Sequence, residues 1–311
     1  MVSVKAKKHV ARTFTEAGSA NISFMCRLLT LPRSSFYAVP KKSERTQELE
    51  REIVQLSENK PRYGYRRITA LLKRDGQSIN AKRVQRVRSR HGLQVRKKQR
   101  PTRRVRTNES KRLRATQPNQ VWSWDFVHDQ TNNGQSMRIL SVVDEFTRQC
   151  FSIRPRRSYR ANDVIEVLDE LIVEHGSPTY LRSDNGPEFI AYALQDHLKH
   201  QGISTHYIRP GSPWEQAYVE SFHDKLRDEL LNREIFYSLE EARIVLEAWR
   251  KEYNTERPHS SLTYQTPNEY MASYQQTHGA TRPMPPQADA SLTAPANLRN
   301  CNQINLAKTL I

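Results

Sequence analysis

Three acidic residues stand where an ordinary solvated acid is not expected. Asp125 lies inside the aromatic run Val121-Trp122-Ser123-Trp124-Asp125-Phe126-Val127. A charge among such residues is costly unless it is paired or binds a cation. Asp184 follows Thr179-Tyr180-Leu181-Arg182-Ser183 and precedes Asn185-Gly186. That is a strand-to-helix junction, where open α/β sheets place their sites. Glu220 lies on a helix-period segment opened by Pro213; Asp224 and Arg227 continue its stripe, and Phe222, Leu226 and Leu230 mark the buried side. Acids converging from separate elements suit phosphodiester chemistry by two metal ions ~3.5–4 Å apart, one activating the attacking oxygen and one stabilising the leaving oxygen. Mg²⁺ is a hard ion and takes carboxylate oxygens and water. Each acid alone reads as an ordinary surface group, and Asp144, Glu145, Glu188 and Glu215 compete nearby. The force lies in the set and its spacing.

The elements that must position these acids occupy residues 117–276. Val121–Val127, Arg138–Val143 and Cys150–Ile153 read as strands, the first two joined at the hairpin signal Asn132-Asn133-Gly134. Residues 161–175 form an amphipathic helix, with Val164, Ile165, Leu168, Leu171 and Ile172 on one face and Gly176 closing it. Further strands are expected at 179–182 and 203–208, with a helix at 187–200 between them. Pro213 opens a helix to about Leu231, and Ser238 with Glu241 caps a last long helix to about Tyr253. The order is strand, strand, strand, helix, strand, helix, strand, helix, helix. It predicts a mixed α/β layer fold and matches the ribonuclease-H-like order.

Charge separates this region from what precedes it. The 311 residues carry a formal net charge of +17. Residues 1–116 hold 31 Lys/Arg against 8 Asp/Glu, a net of +23, and the remainder nets −6. A polyanionic partner, nucleic acid first, follows from such a basic end. Within it, residues 1–43 read as a small helical unit, with Met25, Leu28 and Leu29 facing inward and Pro32 opening a short helix. Residues 44–93 read as three short helices, marked by Ile53 and Leu56, by Ile68, Leu71 and Leu72, and by Val84 and Val87 after the cap Asn80. The third bears Lys82, Arg83, Arg86, Arg88 and Arg90 outward, as a helix-turn-helix recognition helix would; a plain three-helix bundle with a solvated face is the alternative. Residues 94–116, with Lys97, Lys98, Arg103 and Arg104, form a basic linker able to track phosphates. Residues 277–311 read as a disordered tail.

Several classes are excluded. Mean hydropathy is −0.81, and no apolar run approaches the ~20 residues of a membrane helix. No apolar segment with a cleavage site follows the basic start, which predicts no secretion. Cys26, Cys150 and Cys301 lie too far apart for a disulfide framework or a Cys-x-x-Cys zinc site. The histidines have no zinc-ligand spacing, and His197 and His200 read as a surface or packing pair.

Taken jointly, the motifs resemble a known family. The 35 residues between Asp184 and Glu220, the segments Asp184-Asn185-Gly186-Pro187-Glu188-Phe189 and Tyr218-Val219-Glu220-Ser221-Phe222-His223, Tyr253-Asn254-Thr255-Glu256-Arg257-Pro258-His259, and Tyr63-Gly64-Tyr65-Arg66-Arg67-Ile68 are similar to signatures of DDE transposases of the insertion-sequence-three family, second-frame (OrfB) type. The resemblance spans residues 20–275. It implies a retroviral-integrase-like catalytic core after an all-helical helix-turn-helix region. It implies that Asp125, Asp184 and Glu220 hold two Mg²⁺ ions, with Mn²⁺ as a substitute, and that Arg227 contacts DNA ends. Water would be activated for nicking, then the freed 3′-hydroxyl for strand transfer, with no covalent enzyme–DNA intermediate. The implied partners are double-stranded insertion-sequence ends and target DNA, further copies of the chain, and the first-frame polypeptide or a fusion with it, in a bacterial cytoplasm at the nucleoid. Two rivals stay open: a helix-turn-helix regulator with an inert core, and a ribonuclease-H-like nuclease or resolvase that cuts without joining.

Overall fold

The computed structural model describes residues 2–38, 44–95, 113–184, 186–208 and 216–279. Its centre is a five-stranded sheet in the order β3-β2-β1-β4-β5. β1 (Val121–Gln130), β2 (Ser136–Asp144) and β3 (Cys150–Arg156) form an antiparallel meander, with Asp125 directly across from Ser141. β4 (Tyr180–Ser183) and β5 (Ser204–Tyr207) run parallel to β1.

Period-two alternation assigns the two sheet faces. Trp122, Trp124, Leu140 and Val142 pack with α7 (Ala161–His175) and α8 (Tyr192–His200) through Val164, Leu168, Leu194 and Leu198. Val127, Ile139, Val143 and Ile153 pack on the opposite side with Phe222, Leu226, Leu246, Trp249 and Tyr253. Those partners come from α9 (Ala217–Leu226), a π-helical turn at Arg227–Leu231 and α10 (Leu239–Thr255). The aromatic even positions of β1 thus plug one core, and the odd position of Asp125 belongs to the face that meets α9. The expected mixed α/β architecture is the one observed.

Local chemistry set several boundaries. α7 has the expected limits, and Gly176 ends it at φ +87, a left-handed conformation that side chains rarely adopt. Ser238 accepts from Glu241 N–H at 3.0 Å, while the Glu241 carboxylate reaches Tyr237 N–H rather than the cap itself. The helix expected from residue 187 begins only at Tyr192, because residues 187–190 turn first. Pro213 lies outside the described residues, and α9 starts at Ala217. α11 (Pro267–His278) was not expected; Thr266 and Glu269 cap each other reciprocally at its start, and Pro267 sits at its first turn. It carries helix into positions 277–278, and the rest of the expected tail lies outside the described residues.

The chain divides into two compact units, Met1–Asn59 with Gln85–Leu93, and Lys60–Val84 with Gln94–Ile311. In the first, α1 (Val4–Glu16), α2 (Ile22–Leu28) and α3 (Arg33–Tyr37) enclose Ala11, Met25, Cys26, Leu31 and Phe36, and α4 (Glu44–Asn59) buries Ile53. Leu28 departs from expectation. It is exposed, because Met25 and Cys26 already point inward and leave it on the far side of its short helix. Pro32 stands just before α3 rather than inside it.

The second unit joins α5 (Tyr65–Arg74) to the sheet-bearing part. Lys60 pairs with Glu252 at 2.6 Å, Arg62 with Asp228, Arg67 with Glu229 at 3.2 Å and Arg74 with Glu269 at 3.2 Å. α6 spans Ala81–Arg90, with Asn80 capping it through the Lys82 N–H at 2.9 Å. Arg88 corrects the outward reading. It is 3% exposed, because it continues the buried stripe of Val84 and Val87, and its guanidinium bonds the Leu93 carbonyl at 3.1 and 2.7 Å.

Candidate active site

β1 and β4 lie side by side in parallel, with Ser123 opposite Arg182 in the last ladder pair. Two residues beyond that pair lie Asp125, still within β1, and Asp184, just past the end of β4. α9 packs against β1 and β2 and carries Glu220 in its first turn. The His223 ring, one turn on, fixes this helix over the strands. Its Nε2 lies 2.6 Å from Ser141 Oγ, and its Nδ1 lies 3.6 Å from Asp125 Oδ2.

Burial pushes the Asp125 carboxyl up to about 7, the fields of Asp184 and Glu220 add to that, and the Phe126 N–H, donating at 2.7 Å, opposes it. Ser141 Oγ donates to the Asp125 carbonyl at 3.1 Å and holds the backbone there. Asp184 Oδ1 accepts from Gly186 N–H at 3.0 Å. A Cβ at position 186 would stand 3.0 Å from that oxygen and 3.3 Å from the Phe189 ring, so any larger residue there would push the Asp184 carboxylate or the ring by a few tenths of an ångström. Glu220 is exposed. Among the described residues no three Asp, Glu, His or Cys side chains close into a cage for a metal ion.

The competing acids have other work. Asp144 is fully buried, accepts from Thr147 N–H, Thr147 Oγ1 and Asn119 N–H, and is pushed up to about 6 by that burial. Glu145 and Arg182, 2% and 0% exposed, form a buried pair at 2.7 Å that also bonds Ser123 Oγ and the Leu113 carbonyl. Glu188 pairs with Arg138, which also lies 4.1 Å over the Phe126 ring. Glu215 lies outside the described residues.

His223 and Ser141 are functional candidates that motif reading did not single out. Their signal was present in the alternation, since Ser141 shares the odd face of Asp125 and His223 lies one turn from Glu220. Burial and then Arg227 push the His223 imidazole down to about 3, so the ring is neutral. Arg227 is exposed, and its guanidinium bonds the His128 carbonyl at 3.1 Å. On α6, Lys82 and Arg86 are exposed, Arg83 is half-buried, and Arg90 is paired with Glu50 at 2.8 Å. Lys97, Lys98, Arg103 and Arg104 lie outside the described residues, as does Cys301. Cys26 and Cys150 are buried free thiols. His197 packs against Asp169 at 2.7 Å, and His200 is exposed.

Comparison with known proteins gives concordant matches. Residues 115–213 and 201–267 match two family models described as integrase core domain, and residues 44–101 match one described as HTH-like domain. The chain is 38% identical over 255 residues to the insertion element IS407 uncharacterized 31.7 kDa protein of Burkholderia multivorans, covering 82% of this chain and 92% of that one. It is 30% identical over 261 residues to the putative transposase InsK for insertion sequence element IS150 of Escherichia coli K12, covering 79% and 92%. The HTLV-2 integrase catalytic core domain in complex with magnesium aligns at 18% identity over 51% of this chain and 99% of that chain, with a TM-score of 0.41.

Proposed function

The chain belongs to the insertion-sequence-three family of DDE transposases, and on that footing we propose that it cuts DNA at the ends of an insertion sequence and joins the freed ends to a target. Asp125, Asp184 and Glu220 are the acids assigned to the reaction. The observation that carries this reading is the parallel β1–β4 ladder, which ends two residues short of both Asp125 and Asp184, together with the packing of α9, the helix of Glu220, against β1. The donor set fits a pair of Mg²⁺ ions, with Mn²⁺ as a substitute, because all three ligands are hard oxygens and their mutual repulsion is what a cation relieves. When bound, such ions supply Lewis-acid activation of the attacking oxygen and charge stabilisation of the leaving one.

The remaining steps belong to this chain's own groups. The Phe126 N–H and the Asp125–Ser141 backbone contact fix the central acid. The neutral His223 braces Ser141 and adds no positive charge that would compete for the carboxylates. Gly186 lets Asp184 approach the backbone beyond β4. No serine or tyrosine nucleophile is needed, because water and a 3′-hydroxyl are the attacking groups.

Double-stranded DNA is the substrate. Lys82, Arg83, Arg86 and Arg90 on α6 and Arg227 just after α9 are among its contacts, as are Lys97, Lys98, Arg103 and Arg104 outside the described residues. Copies of the chain assemble on the two DNA ends, with the first-frame polypeptide, or a fusion with it, as a further partner. No helix among the described residues is long and apolar enough to cross a membrane.

The test uses the full chain, labelled insertion-sequence ends and Mg²⁺. Nicked and joined products are expected, both lost in Asp125→Asn, Asp184→Asn and Glu220→Gln with DNA binding retained. Nicking without joining would leave a nuclease, and binding without either would leave a regulator.

A further inference from the structure

A cavity of about 380 Å³ opens on the flank of α9 away from Glu220. Ala217, Tyr218, Ser221 and Lys225 face it, whereas Glu220, His223 and Arg227 lie on the opposite flank of the same helix. Four cations line it from four separate parts of the chain: Arg67 of α5, Arg148 of the β2–β3 turn, Lys225 of α9 and Arg257 after α10. Its lining contains no carboxylate among the described residues. We propose that this cavity is a phosphate-oxyanion site and that its occupant is a backbone phosphate of a DNA strand.

The site is built. Arg257 is 2% exposed, and Glu229 holds it through two bonds of 2.7 and 2.6 Å. The same carboxylate accepts from Arg67 at 3.2 Å, so one acid serves two buried or half-buried cations. Arg148 stands in the left-handed region at φ +65, a conformation that disfavours a side chain. The turn that imposes it is tied down by the buried Asp144, which binds both Thr147 N–H and Thr147 Oγ1. The guanidinium is thereby set 3.9 Å over the Tyr218 ring, and its buried Nε has no hydrogen-bond partner among the described residues. Lys225 Nζ donates to Ser221 O and Oγ at 3.1 and 3.3 Å. Burial, and then Arg257, depress the Lys225 ammonium, while Asp224 and Glu229 oppose the shift. A tetrahedral oxyanion balances the four lining cations and accepts from guanidinium, ammonium and hydroxyl together.

Geometry favours a strand over a small free phosphate. The two flanks of α9 are separated by roughly 10 Å, one helix width. A DNA backbone presents charges more closely than that, so one bound duplex can reach the acids and this cavity together. The strand assignment rests on the DNA-processing reading above; the preference for a phosphate oxyanion does not.

The test uses the full chain in EDTA, where no strand is cut. A fluorescein-labelled DNA duplex is titrated by anisotropy across a series of potassium chloride concentrations. Lys225→Gln and Arg148→Gln are each expected to weaken binding about tenfold and to lower the slope of log affinity against log salt by about 0.9. Lys225→Arg restores both. Lys199→Gln, which removes an exposed cation from α8, changes affinity less than about twofold. Ser221→Asp, an exposed position that puts an anion at the rim, weakens binding even if the Lys225 variant fails to fold. Unchanged affinity and slope in the pocket variants overturn the proposal. A second arm titrates inorganic pyrophosphate by calorimetry. Pyrophosphate binding that Lys225→Gln abolishes, with DNA binding untouched, makes the occupant a small free phosphate and overturns the strand assignment. DNA binding through this cavity by a chain that neither cuts nor joins in Mg²⁺ overturns the proposed function and leaves the cavity standing.

Discussion

Asp125→Asn is expected to make the metal-free protein more stable while abolishing its chemistry. The Asp125 carboxyl is pushed from 3.8 to about 7 by burial and by Asp184 and Glu220. Between those values the native state keeps a proton that the unfolded chain releases. Stability therefore falls as pH rises through this window and levels off above it. The full gap corresponds to roughly 4 kcal/mol at pH 8. The side chain is 20% exposed, and solvent screening brings the expected gain of the asparagine variant to about 2–4 kcal/mol. At pH 5 the gain shrinks to under about half, because the native carboxyl is already protonated. Urea unfolding in EDTA, followed by tryptophan fluorescence, measures this, since Trp122 and Trp124 are buried in the same strand. Adding Mg²⁺ should stabilise the parent chain and leave the variant unmoved. A variant no more stable than the parent at pH 8, or a gain independent of pH, refutes the raised Asp125 carboxyl.

The same titration sets a pH dependence for metal loading: below pH 7 the apparent Mg²⁺ affinity should drop about tenfold per pH unit as a proton competes for Asp125, and calorimetry at pH 6 and pH 8 that gives equal affinities would contradict it. Gly186→Ala puts a Cβ 3.0 Å from Asp184 Oδ1; displacing the carboxylate by a few tenths of an ångström should slow cleavage about 10–100-fold, with DNA affinity unchanged in a gel-shift titration. His223→Ala frees both Ser141 and Asp125 and should slow cleavage roughly tenfold, and a normal single-turnover rate would remove the brace. Glu229→Gln leaves Arg257 and Arg67 buried without a counter-charge and should cost about 3–5 kcal/mol in urea unfolding; a loss under about 1 kcal/mol would show that solvent already reaches the pair.

Part of this site was legible from residue order alone. Alternation in β1 put Trp122, Trp124 and Phe126 on one face and left Asp125 on the other, so its direction followed from the strand. Asp184 was marked by the strand end and the Asn-Gly that follows. Competing acids were harder. Asp144, Glu145 and Glu188 are as close to strand ends as the assigned pair, and only their partners Thr147, Arg182 and Arg138 set them apart. Those contacts join residues up to 50 positions apart, beyond the reach of any local pattern. Arg88 misled for a related reason. A helical wheel places it beside Val84 and Val87, and its charge argues for solvent; the Leu93 carbonyl at the helix end decides the matter. The cation-lined cavity was invisible, because Arg67, Arg148, Lys225 and Arg257 share no motif and meet only in three dimensions.

The position of α9 between the acids and the cations has a consequence for how this helix can change over time. Inserting or deleting one residue rotates everything beyond it by about 100°, which would swing Lys225 and Arg227 off their flanks at once. Such an event would forfeit both proposed sites in a single step. Divergence here is therefore confined to exchange in place, and most freely at the solvent-facing Asp224. Length along this stretch should be far more rigidly kept than composition, which a set of functional homologues would show as gapless alignment across a variable surface.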